Sequence, residues 1–355
     1  MMKILVAMSG GVDSSTAAFL LKEQGHEVVG ATLRLWHSAD DKYRPGGCCS
    51  LDDIYDARRV CDFLGIKHYV LNRETEFRRD VVDAFVSEYL SGATPNPCIV
   101  CNEKIKFRMM LSDALALGFD TLATGHYARI ERKDDCYQLV VGKDPAKDQS
   151  YVLYRLGQSE LSHLLFPLGN YTKKEIRAMA LQAQLPAAQK PESQEICFVE
   201  TDYAAFLKSY LPDYDARVRP GPIVDPSGKI VGRHRGLALY TVGQRSGLGL
   251  TTPEPVYVIR IDVETNTLCI GPKAQVHAAS GSVKDVVWIA GSPPSFPLRC
   301  TVKIRRLHQP APATLTREHD NQVLVAFDVS QPAVTPGQSA VFYAGDIVIG
   351  GGIIV

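Results

Sequence analysis

The chain has 355 residues, of which 45% are hydrophobic and 22% are charged, and its formal net charge is zero. This length predicts two or three domains, and the balanced charge gives no general indication of a nucleic-acid partner. No apolar run approaches the roughly 20 residues of a membrane-spanning helix, and the N-terminus lacks a signal-peptide pattern, so we expect a cytoplasmic protein with no membrane partner.

The positions of the cysteines and basic residues along the chain are more informative than their total numbers. Nine cysteines are spread over the chain, and an odd number over this length is a poor disulfide framework. In a reducing compartment they are candidates for chemistry or small core residues. Basic residues form local clusters, among them Lys173, Lys174 and Arg177. Each such cluster taken alone is explained most simply as a solvated face.

The first 124 residues alternate apolar strands with amphipathic helices. Strands are predicted at residues 3–8, 27–33, 68–71 and 121–124, and helices at 14–24, from 50 to about 64, at 78–89 and at 104–117. This alternation predicts a parallel sheet covered on both faces. Ligands of such sheets bind at the carboxyl ends of the strands.

The rest of the chain changes character twice. Thr172 and Glu175 form a capping box that predicts a helix ending near Gln184. From Arg217 onward glycine and proline become frequent, and seven short strands are then predicted at residues 256–261, 268–270, 283–289, 301–306, 323–327, 340–343 and 347–349. We therefore predict an α/β protein of three domains: a parallel-sheet domain (1–200), a small central domain (201–275) and a C-terminal all-β barrel (276–355).

A glycine-rich segment, SGGVDSS at residues 9–15, joins the first strand to the first helix. Its glycines allow a sharp turn and close approach to a phosphate, and the helix start offers backbone N–H groups and a positive dipole end. The segment has no lysine and so differs from the usual mononucleotide P-loop. A plain strand–helix turn is the alternative, but the position after the first buried strand favours phosphate binding.

A second motif, TPNPCIVCN at residues 94–102, carries two cysteines. Its prolines stiffen the loop, and the field of the following helix favours the thiolate form of both cysteines. The pair could be half of a zinc site completed by Cys48 and Cys49, or a redox couple, or one of the two cysteines could be a nucleophile or sulfur carrier. Adjacent cysteines chelate one metal poorly, and no second CxxC or nearby histidine pair is present. We therefore predict no metal site.

Both motifs belong to a wider resemblance. The loop SGGVDSS is similar to the signature of the PP-loop ATP pyrophosphatases, which split ATP between the α and β phosphates and adenylate a substrate. The pattern PNPxxxCN followed by KIKF resembles the tRNA-specific 2-thiouridylases. The same resemblance extends to TGHYA at 124–128, KDQSY at 147–151, SQEICF at 193–198, YTVGQR at 240–245, GLG at 247–249, PGQSAVFY at 336–343 and GGG at 350–352.

The resemblance implies an ATP-dependent sulfurtransferase that 2-thiolates the wobble uridine of tRNA. ATP would adenylate the uracil C2 oxygen, and a cysteine persulfide would deliver the sulfur, with Cys101 as the nucleophile and Cys197 as the persulfide carrier. ATP with Mg²⁺ is implied, and no tightly bound cofactor. The implied partners are tRNAs for lysine, glutamate and glutamine, and a persulfide donor such as a cysteine desulfurase or a sulfur-relay protein.

The resemblance also assigns binding residues. For ATP they are Ala7, Met8, Ser9, Gly10, Gly11, Val12, Asp13, Ser14, Leu33 and Gly125. For tRNA, which the central domain is also expected to contact, they are Asn96, Pro97, Cys98, His126, Lys147, Asp148, Gln149, Arg305, Arg306 and Gln338. Some family members have Asp, with an acid–base role, where this chain has Cys98. That role is either dispensable here or filled by another group, and both Cys98 and Cys197 are candidate partners of Cys101.

Two other functions are consistent with parts of the sequence. Another adenylating PP-loop enzyme, such as an amidotransferase-type synthetase or a 4-thiouridine synthetase, would lack the paired cysteines or carry a different RNA-binding domain. A non-catalytic tRNA-binding or zinc-stabilised module would have a lapsed nucleotide site. The intact loop at residues 9–15 argues against such a module.

Overall fold

The computed structural model describes residues 1–36, 51–191, 196–199, 202–319 and 321–355. Cys48, Cys49 and the segment 193–195 of the SQEICF motif lie outside these ranges. The described elements form an N-terminal five-stranded sheet, a central four-stranded sheet and a C-terminal barrel, which confirms the predicted fold class. No helix within these ranges is long and apolar enough to cross a membrane.

The N-terminal sheet is entirely parallel, with strand order β3-β2-β1-β4-β7. Its strands are β1 (Lys3–Ala7), β2 (Glu27–Arg34), β3 (His68–Asn72), β4 (Thr121–Ala123) and β7 (Leu164–Leu165). The first four match the predicted strands. The two-residue β7 was not predicted, because a strand this short has no periodicity to recognise.

Both faces of this sheet are buried, as expected for a parallel sheet. Successive side chains of a strand point to opposite faces, and on β1 Ile4 and Val6 join one hydrophobic cluster while Leu5 joins another. The described residues contain ten α-helices: α1 (Val12–Glu23), α2 (Leu51–Leu64), α3 (Glu74–Phe77), α4 (Asp83–Leu90), α5 (Pro97–Val100), α6 (Leu111–Ala116), α7 (Gln158–Leu161), α8 (Lys173–Gln182), α9 (Tyr203–Tyr210) and α10 (Tyr214–Arg217).

Two π-helical segments join shorter helices into continuous runs: Arg78–Val82 links α3 to α4, and Cys101–Met110 links α5 to α6. Short 3₁₀ turns lie at Ser150–Val152, Leu237–Leu239 and Lys273–Val276. The run from α5 to α6 begins at Pro97 rather than near Lys104, where the sequence predicted it. Asn96 caps this helix and proline is favoured at its first position, so Cys98 and Cys101 lie inside the helix instead of before it.

The central domain is a mixed sheet of order β10-β11-β8-β9. Its strands are β8 (Gly221–Val224), β9 (Ile230–His234), β10 (Tyr257–Asp262) and β11 (Thr267–Gly271). The sequence predicted β10 and β11 but no strand between 217 and 255. Glycine and proline within β8 and β9 conceal these two strands, since both residues are depleted in strands.

The C-terminal domain is a closed antiparallel barrel of six strands, because β12 pairs with both β15 and β17. The strands are β12 (His277–Trp288), β13 (Leu298–Lys303), β14 (Ala311–His319), β15 (Gln322–Pro332), β16 (Ser339–Ala344) and β17 (Ile347–Ile354). The sequence missed β14, whose inward side chains include only the small Ala311 and Ala313 beside Leu315. Two alanines give a weak alternating pattern.

A hairpin of the N-terminal domain continues the barrel sheet. Its strands, β5 (Ala128–Lys133) and β6 (Cys136–Val141), were not predicted. Strand β6 pairs antiparallel with β17, with Leu139 opposite Val348 and Val140 opposite Ile347. The first and last domains therefore share one eight-stranded sheet.

Candidate active site

The segment at residues 9–15, here called the phosphate loop, turns between β1 and α1 at the carboxyl edge of the parallel sheet. Gly10 has a φ of 71°, and a Cβ there would collide with the backbone carbonyl of Asp53 at the start of α2. Gly125 follows β4, and a Cβ on it would lie 2.9 Å from the amide nitrogen of Ser14. Glycine is therefore required at both positions by close backbone approach.

The serine hydroxyls stabilise the shape of the phosphate loop. The Ser9 amide donates to Ser14 Oγ at 3.1 Å, and the two hydroxyl oxygens are 3.2 Å apart. Ser15 Oγ donates to the Gly11 carbonyl at 2.8 Å. The loop is therefore preorganised around the first turn of α1, where backbone N–H groups suit an anion.

The predicted ATP residues lie together along this edge. Ala7 ends β1 and pairs with Ala31 of β2, two residues before the buried Leu33. Gly125 lies at the end of β4, the other neighbour of β1. The structure thus brings into one region all ten predicted positions: Ala7, Met8, Ser9, Gly10, Gly11, Val12, Asp13, Ser14, Leu33 and Gly125.

Two residues at Asp13 were not among the predicted site residues. The hydroxyl of Tyr127 donates to Asp13 Oδ1 at 2.7 Å, and Lys173 Nζ donates to Oδ1 and Oδ2 at 2.7 and 2.8 Å. The predicted capping box makes this lysine the first residue of α8 but carries no signal that α8 lies beside Asp13. The phosphate loop itself contains no lysine, but the fold places Lys173 beside it.

The cysteine helix, defined as residues 97–116, presents Cys98 and Cys101 in its first two turns. Asn96 Oδ1 accepts a hydrogen bond from the Cys98 amide at 3.2 Å, and Pro97 is the first helical residue. Cys98 is exposed, whereas Cys101 is only 8% exposed. A spacing of three residues puts the two on the same helix face. On this face the Cys98 thiol is exposed and the Cys101 thiol, one turn further along, is buried.

Cys197 lies in a turn at the edge of the same hydrophobic cluster that contains Cys101. It is half-buried, and its neighbour Phe198 is buried against the rings of Phe77 and Phe85 at centroid distances of 5.8 and 5.2 Å. Phe198 thus anchors the turn that carries Cys197. The pairing of Cys197 with Cys101 stays a prediction.

Two cysteines to which the sequence assigns no role, Cys61 and Cys300, have thiols whose pKa is raised by burial. Cys61 is fully buried, and burial, helped by the charge of Asp62, raises the pKa of its thiol to about 12. Burial likewise raises the pKa of Cys300 to about 12. Such thiols stay protonated at neutral pH and are poor nucleophiles. This agrees with a structural role for both.

Several predicted tRNA residues are engaged within the protein. Asp148 accepts hydrogen bonds from the amides of Gly142 and Ser150 at 3.0 and 3.1 Å. Gln149 Oε1 accepts from the Tyr127 amide at 2.9 Å. His126 is buried, and this burial, with the charge of Lys106 nearby, holds the pKa of His126 well below its usual value. His126 is therefore neutral and offers no charge to a phosphate.

Three basic residues predicted to contact tRNA, Arg305 and Arg306 of the barrel and Lys147, differ in exposure. Arg306 is exposed, while the guanidinium of Arg305 donates to the Pro332 carbonyl at 3.0 Å. Lys147 is half-buried in the loop before the 3₁₀ turn at Ser150–Val152. Contacts of these residues with tRNA stay predictions. Exposed Arg306 is the one among them best placed for an electrostatic contact with a phosphate.

Three domains meet at the loop before the cysteine helix, residues 91–96, here called the cysteine loop. The Thr94 amide donates to the Pro336 carbonyl at 2.9 Å, and the Gln338 side-chain amide donates to the Thr94 carbonyl at 2.8 Å. The Thr94 hydroxyl donates to Thr241 of the central domain at 3.2 Å. Gly337 has a φ of 87°, and a Cβ there would lie 2.7 Å from the Thr94 nitrogen. The motifs TPNPCIVCN, YTVGQR and PGQSAVFY therefore converge.

The motif KDQSY also contacts the barrel. The hydroxyl of Tyr151 donates to the Ser339 carbonyl at 2.9 Å, and Tyr154 and Ser339 hydroxyls are 3.1 Å apart. From the same segment the Val152 carbonyl accepts from Asn102 of the cysteine helix at 3.2 Å. Residues 147–154 thus connect the barrel to the cysteine helix. In the described ranges no three His, Cys, Asp or Glu side chains converge as metal ligands.

Comparison with known proteins covers all three domains. Family models match residues 2–201 as a tRNA methyl transferase HUP domain, 204–272 as a tRNA methyl transferase PRC-barrel domain and 280–354 as an aminomethyltransferase beta-barrel domain. The tRNA-specific 2-thiouridylase MnmA of Chloroflexus aurantiacus is 51% identical over 356 residues, covering 100% of this chain and 98% of the relative.

Two further relatives of the same description agree over the full length. The protein of Roseiflexus castenholzii is 48% identical and covers 100% of this chain and 99% of its own. That of Acetivibrio thermocellus is 47% identical and covers 99% of each chain. With the phosphate loop, the cysteine helix and the barrel in one chain, these full-length matches show that the protein belongs to the tRNA-specific 2-thiouridylase family.

Proposed function

We propose that this protein replaces the C2 oxygen of the tRNA wobble uridine with sulfur, in an ATP-dependent reaction. The observation that carries the proposal is the combination of a phosphate loop and a capped helix bearing Cys98 and Cys101 in a chain that matches 2-thiouridylases throughout. The loop suits activation of a poor leaving group, and the thiols suit delivery of sulfur.

In the first half of the reaction, the uracil C2 oxygen attacks the α phosphate of ATP and pyrophosphate leaves. The phosphate loop would bind pyrophosphate through the backbone N–H groups at the start of α1. Mg²⁺ bound with ATP would neutralise phosphate charge, and the carboxylate of Asp13 offers an oxygen ligand of the kind that this ion prefers. The C2 oxygen then carries the adenylyl group and can leave as part of AMP when sulfur attacks C2.

In the second half, sulfur reaches C2 from a persulfide on Cys197. The Cys101 thiolate attacks the Cys197 sulfur, a Cys101–Cys197 disulfide forms, and the terminal sulfur leaves as hydrosulfide. Hydrosulfide attacks C2 and expels AMP. An external thiol then reduces the disulfide. The burial of Cys101 and half-burial of Cys197 would keep the released sulfur from bulk water.

The proposed partners follow from this chemistry. The persulfide sulfur must come from a sulfur donor, such as a cysteine desulfurase or a sulfur-relay protein, because a cysteine thiol cannot add sulfur to itself. The tRNAs would be those for lysine, glutamate and glutamine. A wobble base in a single-stranded loop can be turned outward at modest cost, and the exposed Arg306 is a candidate phosphate contact.

Methyl transfer to tRNA is the activity that the description of the N-terminal family model would suggest. It would leave both the phosphate loop and the Cys101 and Cys197 thiols without a role. Adenylation followed by sulfur transfer uses each of them. The sequence alternative of a 4-thiouridine synthetase places sulfur at another carbon of the base, so the position of the sulfur atom is decisive.

The test combines the purified protein with unmodified tRNA, ATP, Mg²⁺ and a cysteine desulfurase with cysteine. The expected product after nuclease digestion is 2-thiouridine, identified by mass spectrometry and chromatography, with pyrophosphate release that depends on tRNA. Formation of 4-thiouridine or of a methylated nucleoside instead would overturn the proposal. A reaction without ATP is the control.

A further inference from the structure

The phosphate loop contains a carboxylate, Asp13, and no cation of its own. A triphosphate carries several negative charges, and sites that bind one usually offer a lysine or arginine. In the fold, Lys173 reaches the loop from a helix 160 residues further along the chain and contacts both carboxylate oxygens of Asp13. Of these two side chains, the lysine is 10% exposed and the aspartate 32%.

The position of Lys173 is fixed from several sides. Thr172 caps α8 and is paired with Glu175 in a capping box. The Lys173 amide donates to Asp144 Oδ2 at 2.9 Å. Further along α8, Ile176 is buried in a small cluster with Ala17 of α1. The backbone of Lys173 is thus immobilised on α1, and only the side chain is able to change partners.

The surroundings of Asp13 allow such an exchange. Tyr127 also donates to Asp13 Oδ1, and Lys173 Nζ lies 5.7 Å from the centre of the Tyr127 ring. When a divalent cation takes up the carboxylate, the ion pair between Asp13 and Lys173 is released at the point where phosphate oxygens arrive. An ammonium group with three donors then binds phosphate as a point charge.

We propose that Lys173 is the phosphate-binding cation of this site: it pairs with Asp13 in the free protein and turns to the β and γ phosphates when ATP binds. This inference rests on the proposed function, since it assigns the nucleotide to the phosphate loop. It names a residue that the motif SGGVDSS does not contain. It also predicts that nucleotide affinity depends on the number of phosphates through Lys173.

The test compares Lys173→Met with Lys174→Met, which removes the same charge from an exposed position on the same helix turn. Dissociation constants are measured with Mg²⁺ for ATP, inorganic pyrophosphate and AMP. Loss of a charge-assisted contact is expected to weaken ATP and pyrophosphate binding about 10- to 100-fold. AMP binding should change less than about threefold, and Lys174→Met should leave all three constants unchanged.

A purely structural ion pair would give a different pattern. If Lys173 only holds Asp13 and α8 in place, Lys173→Met should weaken ATP and AMP by the same factor, and that result would overturn the proposal. Equal affinity of the variant and the wild type for pyrophosphate would also overturn it.

Folding is controlled separately. Thermal unfolding of each variant shows whether the fold is kept, and Lys173→Arg preserves the charge if Lys173→Met does not fold. Lys173→Arg should retain the preference for ATP over AMP, and loss of that preference in a folded Arg variant would count against the inference. Failure of the wild type to release pyrophosphate with tRNA would contradict the proposed function alone, because the binding constants still decide the role of Lys173.

Discussion

The phosphate loop and the cysteine loop belong to one domain but are held in place by different means. The phosphate loop is stabilised by its own serine hydroxyls and by close backbone packing at Gly10 and Gly125. The cysteine loop depends on hydrogen bonds between Thr94 and the other two domains. We expect the binding of ATP itself to be independent of the central domain and barrel, and the sulfur half of the reaction to depend on them.

The largest expected effect concerns the ATP half. Asp13→Asn should abolish both pyrophosphate release and thiolation, a loss of at least about 100- to 1000-fold in each, since it removes the carboxylate that pairs with Lys173 and would hold the metal-bound phosphates. Binding of tRNA should stay largely intact, because the predicted tRNA contacts lie elsewhere. Pyrophosphate release and a tRNA gel-shift assay measure the two effects. Normal adenylation by this variant would contradict the assignment of the loop.

The next effect should separate the two halves. Cys101→Ser and Cys197→Ser should each abolish 2-thiouridine formation, because sulfur transfer needs both thiols. Both variants should still release pyrophosphate with tRNA, because adenylation needs neither. Cys61→Ser is a control at a buried cysteine with no proposed role, and it should still form 2-thiouridine.

Labelled sulfur distinguishes the two cysteines further. With a persulfide donor, Cys101→Ser should still accept label and Cys197→Ser should not. In the wild type, turnover without reductant should stop with a Cys101–Cys197 disulfide in a peptide map. A Cys98–Cys101 disulfide, together with activity of Cys197→Ser, would show that the chemistry lies within the CxxC.

A smaller effect tests the link between the barrel and the cysteine loop. Gln338→Ala removes the hydrogen bond to the Thr94 carbonyl and should lower the thiolation rate about 3- to 10-fold. Pyrophosphate release should stay within about twofold. Gln331→Ala is the control, since that side chain bonds within the barrel, to the Val329 carbonyl and to His308, and not to the cysteine loop. If saturating tRNA restores the thiolation rate, Gln338 acts as an RNA contact instead.

The smallest effect is expected at Cys98. Cys98→Asp should keep substantial activity, because the side chain is exposed in the first helical turn, where a carboxylate is favourable. Cys98→Ser should also remain active if its thiol carries no sulfur. Thiolation assays of both variants measure this. Complete loss in both would make Cys98 the redox partner of Cys101.

The sequence predicted the phosphate loop because a single segment of chain forms most of it. Residues 9–15 lie between a buried strand and a helix, so their spacing alone specifies the turn. Lys173 was missed because its distance from Asp13 is set by how α8 packs on α1, which no local pattern encodes. The capping box at Thr172 located the helix but not its neighbour.

The cysteine helix shows where local signals were present but misjudged. Asn96 and Pro97 mark a helix start, yet apolar periodicity placed that start near Lys104. Strand β14 was missed because Ala311 and Ala313 contribute little hydrophobic contrast. The hairpin of β5 and β6 was missed because the last three residues of β5, at 131–133, are charged and exposed and because the partner strand, β17, comes from another domain.

The pairing of β6 with β17 sets an order of events during protein synthesis. The edge of β6 at Leu139 stays unpaired until Val348 of β17, about 200 residues later in the chain, has been synthesised. An uncovered edge invites pairing with other chains. The first domain therefore exposes the unpaired edge of β6 while the other two domains are being translated. The strand that covers this edge, β17, also closes the barrel by pairing with β12, so one strand makes both pairings.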